Sequence, residues 1–345
     1  MIPGFRYWPL LLAWFVVWSN PVHSATTAVA ILPQDGRSLY TDAINAARQD
    51  IRIEICVLED PDILSSLQAA LRRGVRVRAI VDQGVYAANP AEQTNLATYL
   101  TAAGGELHLS NPIFPRSFPK IILIDHREFL LGSACLDSTT FTAYRDFVLR
   151  RRSKIEFNDL ARLFENDWAH SAPVGQTPPS YNPTPKLRSS ALLVAPVNAG
   201  ERLVRLYRQA RKTLDVYSEL LGNPTLESEL AAAVARGVRV RLISPIHVNN
   251  LPESVQSLQI KSLNQLKAAG VAVHVSGPGF DAQHPYMHAR ADIIDGRLAC
   301  LGSISLSPDS ITFNREAGII LSAPALRRRL AEQFEHDYQY LTRPY

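Results

Sequence analysis

His288-Ala289-Arg290, followed by Asp295, Gly302-Ser303 and Asn314-Arg315-Glu316, closes a pattern that this 345-residue chain has already written once. Phe118-Pro119-Lys120, Asp125, Gly132-Ser133 and Tyr144-Arg145-Asp146 stand 170 residues earlier, position for position. The likeness extends outward. Leu71-Arg72-Arg73-Gly74-Val75-Arg76-Val77-Arg78 returns as Val234-Ala235-Arg236-Gly237-Val238-Arg239-Val240-Arg241, 163 residues later. Ala102-Ala103-Gly104 with Leu107-His108-Leu109-Ser110 returns as Ala268-Ala269-Gly270 with Val273-His274-Val275-Ser276, 166 later. Phe164-Glu165 and Asp167-Trp168 return as Phe334-Glu335 and Asp337-Tyr338, again 170 later. Matched blocks in one order, with an offset that drifts by a few residues, mark a duplicated domain rather than a short-period solenoid.

Local pattern supplies the elements. Ile63 to Arg73 carries apolar residues at helical spacing and meets Gly74, a helix-ending residue. Val75 to Val81 alternates and then turns apolar, as a strand does, and the same helix–glycine–strand series recurs over Leu230 to Ser244. Ile121–Ile124 and Phe129–Leu131 read as buried strands, and Asp125-His126 and Asp295-Gly296 as hairpin turns. Alternating strands and helices predict an α/β fold: two tandem domains, each a mixed β-sheet flanked by helices. Ser171 to Leu187 holds five prolines and reads as a linker. The expected organisation is a leader over 1–24, repeat 1 over 25–170, linker 171–187 and repeat 2 over 188–345.

The leader is read from Arg6, the apolar run Tyr7–Trp18, and small residues approaching Ser24. Twelve apolar residues are too few to span a bilayer, so a cleaved signal peptide and a secreted or periplasmic location are expected; an uncleaved N-terminal membrane anchor is the alternative. All but one of the 36 Lys and Arg, and all 32 Asp and Glu, lie after residue 24. Such balance gives no support for a strongly basic nucleic-acid surface. Cys56, Cys135 and Cys300 lie in apolar stretches and read as buried thiols, with one disulfide open to an exported chain. No His, Cys, Asp or Glu spacing is that of a metal site.

The repeated motif resembles the tandem H-x-K-x-x-x-x-D pattern of the phospholipase D superfamily. The resemblance implies two domains facing each other across a pseudo-twofold axis. One His attacks phosphorus and forms a phosphohistidine, the other protonates the leaving oxygen, and Lys and polar side chains hold the phosphate without a metal or other cofactor. The chemistry is sound in itself: neutral imidazole is a competent nucleophile near neutral pH, a second is a competent acid, and fixed cations stabilise charge on phosphoryl oxygens.

Carried over by position, His288 is the nucleophile, and Lys120, Asp125, Asp295 and Glu316 complete the catalytic group. Lys120, Arg290, Ser133, Ser303 and Asn314 are expected to bind the phosphate, and Asp146 and Glu316 match the acid that helps to orient a His. The pattern is broken in places. Phe118 replaces the first His and can neither donate, accept nor attack. Arg290 replaces the second Lys, keeping the charge but with a forked, bulkier head. The Asn of the G-S-x-N element is absent twice, Cys135 and Ser305 standing there. His126 and His284 read as loop decoration, and His108 and His274 as structural histidines.

The resulting expectation is an exported, monomeric protein that cleaves or transfers a phosphodiester without a metal, through a phosphohistidine on His288, with a phospholipid as preferred substrate. A transient contact with a membrane surface fits that substrate. The alternatives are an exported nuclease of the same superfamily, with nucleic acid as partner, and a pseudoenzyme that binds phosphate-bearing ligands.

Overall fold

The computed structural model describes residues 27–88, 90–249, 251–277 and 281–345; the expected leader over 1–24 lies outside them. The first copy contributes β1 (Ala28–Leu32), β2 (Asp50–Ile55), β3 (Arg76–Val81), β4 (Glu106–Leu109), β5 (Ser117–Phe118), β6 (Ile121–Ile124), β7 (Glu128–Gly132), β8 (Tyr144–Arg151) and β9 (Ala172–Pro173). The second contributes β10 (Leu192–Ala195), β11 (Thr213–Tyr217), β12 (Arg239–Pro245), β13 (Ala272–Ser276), β14 (Tyr286–Met287), β15 (Ala291–Ile294), β16 (Leu298–Gly302), β17 (Arg315–Leu321) and β18 (Thr342–Pro344). They form two nine-stranded sheets, ordered β1-β8-β7-β6-β2-β3-β4-β9 and β10-β17-β16-β15-β11-β12-β13-β18, each completed by one strand from the other copy. β5 runs parallel to β17, pairing Phe118 with Glu316, and β14 runs parallel to β8, pairing Met287 with Arg145.

Side-chain alternation divides the apolar residues into three cores. On β6, Ile122 and Ile124 face a core under the helices Ser38–Ala46, Pro61–Arg72 and Pro90–Ala102. Ile121 and Leu123 face a second core shared by both sheets and by the helices Lys154–Ala169 and Pro324–His336. The third core repeats the first beneath Ala199–Gln209, Pro224–Ala235 and Glu253–Ala268. Matched residues of both copies, such as Leu131 with Leu301 and Phe164 with Phe334, line the shared core.

The local signals act as expected. Asp60 caps the helix Pro61–Arg72 by accepting from the Asp62 and Ile63 N–H groups, and Asn223 serves its counterpart in the same way. That helix ends before Gly74, whose φ of +83° a side chain would strain. Asp125-His126 and Asp295-Gly296 all have positive φ and are the central residues of the tight turns closed by the Arg127 and Arg297 N–H groups on the Ile124 and Ile294 carbonyls, between antiparallel strands. Part of the proline-rich segment is bound into the fold: Ala172–Pro173 pairs with β4, and the Asn111 side chain donates to the Pro179 and Tyr181 carbonyls.

Two crossing ion pairs tie the copies together. Arg145 donates through Nε and Nη2 to Asp337 at 2.7 and 2.9 Å, with both side chains fully buried. Its counterpart, Arg315, donates through Nη2 to Asp167 at 3.1 Å. Tyr217 donates its hydroxyl and Gln333 its amide to Asp337, so three residues hold that carboxylate. Removing one member of such a pair strands a buried charge. Asp337→Asn is therefore expected to cost about 3–5 kcal/mol, read as a lower urea midpoint, whereas a change at exposed Glu332 should move it by less than about 0.5 kcal/mol.

Candidate active site

β14 and β8 place His288 and Asp146 side by side across the junction. The His288 Nδ1 lies 2.9 and 3.0 Å from the two Asp146 oxygens, and the carboxylate is wholly buried. An ionised carboxylate only accepts, so Nδ1 carries the hydrogen that faces Asp146, while Nε2 lies 3.3 Å from Arg290 Nη1. Burial works against the Asp146 charge, but His288, Lys120 and the Ser133 hydroxyl outweigh it and hold the carboxyl below its usual range. Ser133 donates to Asp146 at 2.5 Å and accepts from the Phe147 N–H at 3.1 Å. Tyr144 packs its ring 5.2 Å from that of His288.

Two cations converge beside this pair. Lys120 Nζ donates to the Ser133 carbonyl at 2.5 Å, and Arg290 Nη1 reaches the same carbonyl at 3.5 Å. Lys120 has a left-handed backbone (φ 52°), uncommon for a residue with a side chain. Burial, reinforced by the Arg290 charge, pulls its ammonium down to about 7 against Asp146, Glu219 and Glu316. Arg290 donates through Nε to Ser305 at 2.9 Å, through Nη1 to the His288 carbonyl at 3.0 Å, and through Nη2 to Glu219. Its fork is thus taken up by protein groups. Gly132 and Gly302 end the strands next to the site because a Cβ there would meet the Phe147 or Ala317 carbonyl oxygen at 2.2 and 2.3 Å.

Not every expected site residue belongs to this group. β6 carries Lys120 at one end and Asp125 at the other, about 16 Å apart along the strand. Asp125 accepts from the Arg48, Gln49 and Asp50 N–H groups, and Asp295 from those of Arg211, Lys212 and Thr213. Both fasten a loop to a hairpin turn, away from His288, which corrects their expected catalytic role. Ser303 exchanges hydrogen bonds with the Ala317 backbone, and Asn314 donates to Glu316, so each serves the scaffold of the second half-site.

The two half-sites differ. Glu316 occupies the place of Asp146, but the chain opposite it carries Phe118 instead of a histidine. Its carboxyl turns to Ser310 and Asn314, and burial pushes it up to about 7 despite Arg290 and Lys120. Phe118 is partly buried against the first core. Cys56 and Cys135 form a disulfide with Cα atoms 6.0 Å apart, so the expectation of buried free thiols holds for Cys300 alone. His126 and His284 are exposed, whereas His108 and His274 stack on Trp168 and Tyr338 at 3.8 and 3.6 Å between ring centroids. Among the described residues no group of three or more His, Cys, Asp or Glu could hold a metal ion.

Glu219 is the site residue that sequence reading missed. Its Oε2 lies 3.8 Å from His288 Nε2 and its Oε1 accepts from the Tyr286 hydroxyl at 3.0 Å. Asp50 and Thr213 begin equivalent strands 163 residues apart. Read at that offset, Glu219 stands opposite Cys56, just as Ser305 stands opposite Cys135 at the motif offset. Comparison of the two copies beyond the motif was the available signal.

A duplicated α/β fold with strands exchanged across one shared site defines a tandem protein of the phospholipase D superfamily. The family described as "Cardiolipin synthase, PLD-like domain" matches residues 40–168 and 203–338, and the chain belongs to it. A cardiolipin synthase of Geobacillus kaustophilus is 26% identical over 98% of this chain and 73% of its own length. The human mitochondrial cardiolipin hydrolase is 29% identical over 41% of this chain and 52% of its own length. Among solved structures, the phosphatidylserine synthase of Haemophilus influenzae superposes with a TM-score of 0.71 at 14% identity, covering 92% of this chain and 87% of that one.

The pH dependence of anion binding follows from two groups. Below about 7 Lys120 is charged and Glu316 neutral; above it Lys120 loses its charge and Glu316 gains one. Both changes disfavour an anion. Binding of sulfate, whose own charge is constant over that range, should weaken as pH rises through about 7, as read by calorimetry. Glu316→Gln should make the fall shallower.

Proposed function

We propose that this chain is an exported phospholipid-modifying enzyme that transfers the phosphatidyl group of a phosphodiester through a covalent phosphohistidine on His288. The observation that carries the reading is the His288–Asp146 pair at the junction of the copies, with Lys120 and Arg290 beside it. The relatives named as cardiolipin synthases and hydrolase favour a phospholipid over nucleic acid. The disulfide supports an oxidising compartment outside the cytoplasm.

In the first step the Nε2 lone pair attacks phosphorus, the P–N bond forms, and the bond to the departing alkoxide breaks. The Asp146 carboxylate holds the ring through Nδ1–H and stabilises the positive charge that develops on it. Lys120 and, once its fork is freed, Arg290 balance charge on the non-bridging oxygens. In the second step the oxygen of water or an alcohol attacks phosphorus, the P–N bond breaks, and the proton of the incoming group passes to solvent, which has protonated the alkoxide released in the first step. Water gives hydrolysis and an alcohol gives transfer.

Phe118 marks the point of divergence. The departing oxygen receives no proton from an imidazole at that position, and such acid catalysis typically contributes about 10²–10⁴-fold. Wild type should therefore cleave diesters with good leaving groups, such as p-nitrophenyl esters, far better than ordinary phospholipids. Phe118→His, ideally with Arg290→Lys, should raise turnover on ordinary diesters much more than on activated ones. His288→Ala should abolish both, and EDTA should leave turnover unchanged. Unchanged turnover in His288→Ala sinks the assignment. If no diester turns over in wild type or in Phe118→His/Arg290→Lys while phosphate still binds, the chain is a phosphate-binding pseudoenzyme.

A further inference from the structure

We propose that the Glu219 carboxylate occupies the seat of the substrate phosphate and is displaced when a phosphodiester binds, so that Glu219 sets the strength and charge preference of anion binding. The inference rests on the reading of His288, Arg290 and Lys120 as a phosphate site. It concerns how that site is filled when substrate is absent.

Geometry supplies the first support. A nucleophilic Nε2 requires phosphorus within reach, and the anionic atom nearest to it is Glu219 Oε2, at 3.8 Å, with Arg290 Nη1 on the same nitrogen at 3.3 Å. The same oxygen accepts from Arg290 Nη2, the arm of the fork that would otherwise be free for a phosphoryl oxygen. Glu219 thus makes the two contacts that define the phosphate position. Burial works against its charge, but Arg290, His288 and Lys120 prevail and hold the carboxyl below its usual range. The group in the seat is an anion.

Charge supplies the second. Arg290 and, below about 7, Lys120 carry positive charge, and Asp146 and Glu219 carry negative charge beside them. Glu316 is neutral in that range. A carboxylate and a phosphodiester each bear one negative charge, so at Arg290 and Nε2 the ligand would replace Glu219 with a group of the same charge. Uncompensated charge in a buried site is costly, and an internal anion spares the empty site that cost.

The duplication supplies the third. The position equivalent to Glu219 in the first copy is Cys56, and the position equivalent to Ser305 is Cys135. The first copy joins these positions covalently, whereas the second sets Glu219 and Ser305 on either side of Arg290. The scaffold therefore does not require an acid there. On displacement, Oε2 leaves Nε2 and Arg290, while Oε1 keeps the Tyr286 hydroxyl as its pivot.

The test is titration of inorganic phosphate at pH 6 into wild type, Glu219→Gln and Glu219→Ala, followed by calorimetry and by the His288 ring nitrogen resonances. Both variants should bind on the order of tenfold or more tightly than wild type, because a like charge a few ångströms from the ligand has been removed. The His288 Nε2 resonance should shift on binding in all three proteins. Glu219→Asp, which withdraws the carboxylate by one methylene, should fall between wild type and Glu219→Gln and keeps the test open if a neutral variant fails to fold. Should the variants bind phosphate no better than wild type, the displaced-carboxylate idea is overturned while the phosphate site stands. If none of the proteins binds phosphate, both fall.

Discussion

Everything in this molecule depends on two buried arginines that reach across to the other copy. Arg145 and Arg315 sit one residue before the acids of the two half-sites, Asp146 and Glu316. In a strand, neighbouring side chains point to opposite faces. While Arg145 is gripped by Asp337, Asp146 must face the other way, towards His288. The ion pair holding the copies together therefore also fixes the register of the strand that orients the nucleophile. The exchanged strands β5 and β14 run beside the same two segments and bring Phe118 and His288 to them. One slip in register would turn both acids away from the site.

This shared frame lets the half-sites diverge without loss of the fold. In one half, Asp146 meets a histidine and becomes its partner. In the other, Glu316 meets phenylalanine and turns to Ser310 and Asn314. A carboxylate needs a donor wherever it is buried, and nearby hydroxyl and amide groups serve in place of the missing imidazole. The cystine and the Glu219–Arg290–Ser305 cluster form a second contrast at matched positions. One is covalent and neutral, the other polar and joined by hydrogen bonds.

Much of the fold was legible in the sequence. Gly74 and Gly237 stop their helices, and Asp125 and Asp295 lie in tight hairpins. Lys120, Arg290, Ser133 and His288 lie side by side, whereas Ser303, expected beside them from its matched position, bonds the Ala317 backbone. The role of Asp125 and Asp295 was misread because a motif records spacing along a strand and not which end a residue occupies. Lys120 and Asp125 bracket β6, so only one of them can face the junction. The pairing of Cys56 with Cys135 spans 79 residues and leaves no local spacing signal. Glu219 was overlooked because it lies outside the motif, although alignment with Cys56 would have exposed the difference. The crossing ion pairs were present as matched Arg and Asp positions, but pairing between copies rather than within one became visible only in three dimensions.

The most direct test of a single-histidine transfer centre is rapid quenching of wild type with a p-nitrophenyl phosphodiester, followed by peptide mapping. A phosphoryl adduct that is stable in alkali, labile in acid and confined to His288 is the predicted result, forming within one turnover and absent in Asp146→Ala. Turnover without any adduct on His288, or an adduct on another residue, would contradict it.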